Sequence, residues 1–491
     1  MRVAHLLRRA GAIALIGATV GGIVLVENRP RKVSEGASLA LVALAGLPQM
    51  SEGNAISTSW FCPGVAAGDG VDAARVVIAN PSASEISASI AFFSADPVQT
   101  SSVTVGPRSQ LNVDLLRGRT VGAVVPVVEI VGDVGTVEQE LVYAAGDVTS
   151  QCVSQTSPTW YFADGFTVEG STHRLVLTNP YPESAVVNVS FVTREGERTP
   201  GALQGLIIAP RSARSISLAE QGAEGESEIA VQVAATRGQV IASRMQHYLG
   251  GGRLGYSTGV GIPQALAEWW FTSGRTGPNV TEELVIFNPS DSTVRANVAF
   301  FGEGITNGIT PEQAATTDPP NALVEIPAGE VVKVNTSSVV DLPAGNHAMV
   351  VSSLDAGKVV VEHVLSQVTG GSAFTAVTNG IPTALASTKW RVPTGLANGA
   401  RNALSILNTT AEPGAFTIAA IGPGGELPIP GLENVPLGAS SLASLDVPDG
   451  VAGGELVITA TIPVAIQRRT TRGHGLVGFG IVGALPVRER R

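Results

Sequence analysis

Ser257 lies in GYSTG, residues 255–259, and G-x-S-x-G is the spacing that in esterases lifts a serine nucleophile onto a strained turn between a strand and a helix. The residues that follow, VGIPQALAEWW, run through Pro263 with no helix signal, and the corresponding stretches GSAFTAVTNG and GLVGFGIVG keep the strand pattern without the serine. Ser257 is therefore expected to be a strand residue. GFGIVG at 478–483 matches G-x-G-x-x-G, whose glycines let a pyrophosphate approach a helix N-terminus inside a βαβ unit. The eight residues after Gly483 hold no helix and second strand, so the match reads as a glycine-rich closing strand. A glycosidase needs only two carboxylates roughly 5–10 Å apart, and Asp164, Glu169 and Glu183 are the candidates, although the other repeat units do not carry them. DGVD at 69–72 and EGESE at 224–228 lack the loop pattern of a calcium site and are expected to be solvated turns. His173, His247, His347, His363 and His474 show no H-x-x-x-H or H-E-x-x-H spacing, so no metal site is expected. His247 and His363, with Arg244 and Arg468, are expected to form a polar row on a sheet face. No catalytic, cofactor-binding or metal-binding residue is assigned.

The elements that would position these groups follow from the patterning. With 491 residues the chain exceeds one hydrophobic core and should be modular. Its 31 basic and 41 acidic residues give −10, with no basic tract beyond the N-terminal one, so nucleic acid is a poor partner. High Gly, Pro, Val, Thr and Ser point to short strands and turns. Arg2, Arg8 and Arg9 precede a 17-residue uncharged stretch from Ala10 to Val26, after which charge returns. That is an export element at the short end of membrane-spanning length, read as an uncleaved single-pass anchor, with cleavage after the apolar stretch SLALVALAG at 38–46 and secretion as the alternative. Gly17 and Gly21 form a GxxxG spacing too weak in this setting to imply anchor pairing. Cys62 and Cys152 are the only cysteines and, after an export signal, read as one disulfide in an oxidising compartment. Closing a loop of about 90 residues would stabilise by roughly 4–5 kcal/mol on the chain-entropy argument.

The tryptophans reveal a repeat. Trp60, Trp160, Trp270 and Trp390, with Trp269 beside the third, open units reading WFCPG, WYFADG, WWFTSG and WRVPTG. Each opening is followed by a strand ending at Asn80, Asn179, Asn288 or Asn408, in VVIANPS, LVLTNPY, LVIFNPS and LSILNTT. Asn-Pro after an apolar run is a strand-then-turn signal. Alternating strands follow, ISASIAFFS, VVNVSFVT, VRANVAFFG and AFTIAAIG, whose period of two implies half-buried sheet faces. After a turn such as APRS, the units close with TVEQELVY, VIASRMQHY, VVVEHVLS and VAIQRRTT. About six or seven strands in about 100 residues is the content of an Ig-like antiparallel sandwich, whereas propeller blades would recur every 40–50 residues. Unit three carries a polar insertion at 302–322 that reads as an exposed loop. Asn188, Asn279, Asn335 and Asn408 begin N-x-[ST] triplets, relevant only in a host that glycosylates them.

Units reading W-[YF]-F-A-[ED]-G, then a strand ending in N-P, then a P-x-[RS]-S turn, resemble repeats in exported actinobacterial proteins. From about residue 58 to 488 the chain is similar to an uncharacterised membrane-anchored family of that group; unit two follows the pattern best and unit four, with Thr409 after Asn408 and Arg391 after Trp390, departs most. The resemblance carries no catalytic residues.

The expectation is an all-β protein of four tandem Ig-like antiparallel β-sandwich repeats after an N-terminal transmembrane helix. Its divisions are the anchor at 1–27, a linker at 28–57, and repeats at 58–157, 158–266, 267–386 and 387–491. It is expected to be a non-catalytic, membrane-anchored, extracytoplasmic protein of the cell envelope, displaying its units for adhesion, scaffolding or surface binding. Envelope polysaccharide or another envelope protein is the expected partner. A carbohydrate-binding accessory role is the alternative, and a hydrolase with a hidden carboxylate pair the outside one. The aromatics of TWYFADGFTVEG, residues 159–170, are expected to pack and its Asp-Gly to form a turn.

Overall fold

The alternating runs become strands, with their apolar residues turned inward and their polar ones outward. In unit two the strands Thr159–Phe162, Ala230–Arg237, Ala185–Thr193 and Gly196–Arg198 lie side by side in that order, with Leu206–Ile208 also on Ala185–Thr193. A second sheet holds Ser212–Ser217, Thr172–Asn179, Ile241–Gly250 and Arg253–Val260. All pairings are antiparallel. Both sheets feed one core: Trp160, Val187, Val189, Phe191 and Val233 from the first meet Leu175, Leu177 and Ile241 from the second. Units one and three repeat this strand order.

This is a computed structural model, and it describes residues 46–50, 55–117, 121–132, 134–143, 146–307, 319–369, 372–393, 400–448, 454–472 and 479–487. The expected anchor, most of the linker, the centre of the 302–322 insertion and His474 lie outside those residues. Among the described residues there is no α-helix, and no helix is long and apolar enough to cross a membrane.

Unit four differs. Its strand Leu456–Arg472 is 17 residues long and pairs in both layers, joining them into one nine-stranded sheet. The other units break the chain at the matching place, after Val131, Arg237 and Ser353. There they carry the glycine-containing stretches VGDVG, TRGQV and LDAGK, whereas unit four reads TIPVA and stays extended.

The repeated asparagines are the hinges of the turns. Asn179 is fully buried; its Nδ2 faces the carbonyls of Glu183, Ile208 and Ala209 at 2.7, 3.2 and 3.1 Å, and its Oδ1 accepts the Tyr181 N–H at 3.0 Å. Asn80 and Asn288 make the same set, and Asn408 most of it. An amide satisfies both the donor and the acceptor requirement of a closed turn, which is why the type recurs.

Parity in unit three differs from the sequence expectation. The tryptophan equivalent to Trp160 is Trp269, not Trp270: each is wholly buried and donates from Nε1 at 2.8 Å, Trp160 to Val240 O and Trp269 to Val359 O. Trp270, one residue on, faces the other side of the sheet, half-buried against Phe301 with Nε1 2.7 Å from Glu268 Oε1.

Cys62 and Cys152 form the expected disulfide. Its place in the repeat is informative, because the bridges Phe61 to Val153, Tyr161 to Ile262 and Trp270 to Ile381 align the cysteines with Phe162 and Gly261, and with Phe271 and Gly380. A Cβ on Gly261 would stand 2.8 Å from Phe162 Cζ, and one on Gly380 2.8 Å from Phe271 Cζ. A ring pressed on a glycine in units two and three is thus replaced by a covalent bridge in unit one.

From Ala45 onward the chain is one compact unit. The last strands of the four repeats, Gly146–Gln151, Arg253–Val260, Ser372–Asn379 and Phe479–Gly483, touch in a closed cycle: first to second, second to third, third to fourth and fourth to first. Side chains stitch it, with Ser150 Oγ donating to Thr258 O at 2.7 Å, Asn379 Nδ2 to Val260 O at 3.1 Å and Gln151 Nε2 to Gly483 O at 2.6 Å.

Candidate functional site

The penultimate strands carry the polar residues of the molecule inward. Register places Glu138 and Gln139, Ser243 and Arg244, Glu362 and His363, and Gln467 and Arg468 at equivalent positions. The first of each pair reaches the preceding repeat. Ser243 Oγ donates to Pro63 O at 2.7 Å; Glu362 Oε2 accepts the N–H groups of Ala163 and Asp164 at 2.9 and 2.7 Å; Gln467 Oε1 accepts those of Thr272 and Ser273 at 2.7 and 3.0 Å. The second of the pair ties down its own opening loop: Gln139 bonds both backbone groups of Gly64, Arg244 donates to Asp164 O and Arg468 to Pro393 O. The expected polar row therefore exists, but Arg244 and Arg468 are buried between repeats and His363 inside unit three rather than facing solvent; of the four, only His247, half-buried beside Tyr143 and Tyr256, keeps some exposure.

Charges meet where units two and three join. Arg244 spans Glu362 with two bonds, 2.9 and 3.0 Å, and both side chains are almost wholly buried. Asp164, expected in a turn, is 1% exposed, held by Arg253 Nη1 at 2.9 and 3.1 Å and approached by Tyr248 OH at 3.3 Å. Arg253 Nη2 goes on to Glu283 at 2.8 Å. Burial alone would raise the Asp164 carboxyl, but Arg253, Arg244 and Lys333 outweigh it and hold it below the usual carboxylate range. His173 lies in the same core with neither ring nitrogen hydrogen-bonded. A Cβ on Gly165 would stand 2.5 Å from its Nδ1, so only glycine fits there. Burial and the neighbouring Arg244 push His173 down to about 3, against the pull of Asp164.

Unit three has its own centre. Glu282 Oε1 is 2.8 Å from His363 Nε2 and accepts the Arg275 N–H at 2.9 Å, while His347 Nε2 lies 2.9 Å from Oε2, near enough for an ion pair but out of line for a hydrogen bond. Burial raises the Glu282 carboxyl, but the two imidazoles prevail and lower it to about 2. Among the described residues no group of three or more His, Cys, Asp or Glu is arranged to hold a metal ion.

Units one and four meet through Arg468 Nη2 and Glu138 Oε2, 2.7 Å apart and buried. Burial pushes Glu138 up to about 7 despite Arg468, and Glu455 up to about 7 despite Arg391.

The other sequence candidates are dispersed. Ser257 sits mid-strand opposite Gln246, buried and without the strand-to-helix turn of a nucleophile. Gly480 to Gly483 belong to a closing strand. Glu169 and Glu183 are exposed, and Glu169 Oε2 accepts the Gly251 N–H at 2.7 Å, so Asp164 has no carboxylate partner of that trio in its ion-pair shell. Asp69 lies 3.6 Å from Arg174, and Glu226 3.1 Å from Arg198. The residues that sequence reasoning missed are Arg253, Glu282, Glu362 and Glu138. Their signal was present: a charged residue inside an otherwise apolar strand must find a partner when the strand is buried.

A cleft of about 440 Å³ opens between units two and three over Val192, Gln232 and Phe287, rimmed by Glu197, Ser290 and Asp291.

A family of unknown function, DUF5719, matches residues 132–252, close to one repeat in length and running from the end of unit one to the closing hairpin of unit two. Among solved structures, the crystal structure of Thermotoga maritima 1070 is similar at 16% identity over 24% of this chain and 95% of that chain, with a TM-score of 0.20. No curated protein matches the chain.

Proposed function

We propose that the chain is a non-catalytic, extracytoplasmic envelope protein whose four Ig-like repeats form a stiff body for display or scaffolding, held at the membrane by the segment at 10–26. One observation carries this reading: the buried charged side chains are spent on one another inside the body. Arg244 with Glu362 and Glu138 with Arg468 lie in buried pairs between repeats, and Asp164 with Arg253 in a buried pair within unit two. The disulfide agrees with an oxidising compartment. The repeat limits at 58–157, 158–266, 267–386 and 387–491 are part of the proposal, as are envelope polysaccharide or a second envelope protein as partners.

A carbohydrate-binding accessory role is the second reading, and the cleft between units two and three favours it. Against it, sugar platforms need exposed coplanar aromatics, whereas Trp160 is wholly buried, Tyr161 leans on Phe287 and Trp270 on Phe301. The deciding measurement combines fractionation of the native host with binding of the purified chain to envelope polysaccharides. Recovery with membranes and no saturable sugar binding supports the scaffold. Saturable binding lost on Gln232→Ala would shift the assignment to the accessory role, and recovery in the cytosol with reduced cysteines would overturn both.

A further inference from the structure

Four junctions close the cycle of repeats, and the peptide chain crosses three of them. At the fourth, unit one and the linker before it meet unit four through non-covalent contacts, among them Glu138 with Arg468, Gln151 with Gly483 O, Arg108 with Pro423 O, Arg391 Nη1 with Val134 O at 3.1 Å, and the Met50 N–H with Pro486 O at 3.2 Å.

The residues at the equivalent positions alternate in charge around the cycle. At the junction of units one and two the equivalent residues are Gln139 and Ser243, and at that of units three and four His363 and Gln467, and neither set forms a salt bridge across its junction. Units two and three are joined by Arg244 and Glu362, and units four and one by Arg468 and Glu138, in the same register and the same direction. A face bearing Glu138 therefore fits an arginine face and no other kind, and in an intact chain the Arg244 face is already occupied by unit three. Both members of the pair are buried, so each is left without its partner when the seam opens.

We propose that Glu138 and Arg468 are the key that closes the cycle within one chain, and that two chains carrying opposite single reversals of that key pair the first repeat of each with the fourth repeat of the other. The two faces are different surfaces that complement each other, so contact between copies is head-to-tail, by exchange of the fourth repeat or by continued addition. Closure within the chain prevails in the native protein because the two faces are tethered at high effective concentration.

The test is a charge-reversal set on the full chain, read by size-exclusion chromatography with light scattering over a dilution series. Wild type is expected to be monomeric. Glu138→Arg and Arg468→Glu should each open the seam without finding a matching face on an identical copy, so each alone should run as an expanded monomer. The double reversal should return the chain to a compact monomer. Mixing the two single variants after partial unfolding should give a one-to-one heterodimer, because the reversed charges complement between chains. A Glu138→Arg chain as compact as the wild type overturns the proposal, as does a mixture of the two single variants that forms no heterodimer. Where the single variants do not fold, the double variant decides: a folded monomer supports the key, and an oligomeric or insoluble product overturns it.

Discussion

Asn179 shows how much one amide can organise. Three carbonyls and one N–H converge on a fully buried side chain, so Asn179→Ala strands several buried groups at once. A loss of about 3 kcal/mol is expected in the urea unfolding midpoint, and a loss below about 1 kcal/mol would show that water replaces the amide. His173 makes the complementary case for charge. Its folded pKa of about 3 lies below its unfolded value, so the unfolded chain binds the extra proton and stability is lost as pH falls from about 6.5 towards 3. The groups facing it are Arg244, which reinforces this, and Asp164, which opposes it. His173→Gln should remove up to about 1.4 kcal/mol per pH unit of slope over that window; an unchanged difference between the two proteins from pH 6 to 4 would sink the assignment. Glu138 and Glu455 act with the opposite sign, since raised carboxyl pKa values lose stability as pH rises from about 4.5 to about 7.

At the scale of elements, each repeat ties its opening strand to the segment after its last strand, and it does so with interchangeable chemistry. Unit one uses Cys62 and Cys152, units two and three a phenylalanine on a glycine, and unit four has Val392 and Ala484 in these places. Reducing agent should therefore lower the melting temperature of the wild type, consistent with about 2–5 kcal/mol for a native bridge. Cys62→Phe with Cys152→Gly should melt above Cys62→Ala with Cys152→Ala, and its melting should ignore reductant. If the Phe–Gly pair melts no higher than the alanine pair, the two arrangements are not equivalent. The exchange of Trp270 for Trp269 belongs to this scale too. A strand pattern has period two, so anchoring it on the wrong member of an adjacent pair turns every side chain to the other face.

For the whole molecule, the buried pairs matter as selectors more than as glue. Removing one partner of Arg244 and Glu362 leaves an uncompensated charge, so Glu362→Gln should cost about 3–5 kcal/mol. Replacing both by Met and Leu should cost much less, because the desolvation of two ions is removed together. Thermal unfolding of the two variants checks this, and equal losses would mean that each side chain acts separately. The pair count is small for so large a body, and the buried Arg–Glu pairs stand at two of the four junctions, between units two and three and between units four and one.

The repeat, the strands, the turns at Asn80, Asn179, Asn288 and Asn408 and the disulfide were legible in the sequence, because each depends on neighbours within one unit or on a pattern of period two. The sites were not. Asp164 looked like part of a turn and Arg244 like part of a polar row on a sheet face, since a linear pattern reports the sheet face a residue occupies and not what later covers that face. Only the closure of four repeats into one cycle brings Glu362 to Arg244 and Glu138 to Arg468, across 118 and 330 positions of chain. Burial by a distant repeat is a tertiary event, and it turned charged residues that local sequence assigns to solvent into the contacts that hold the repeats together.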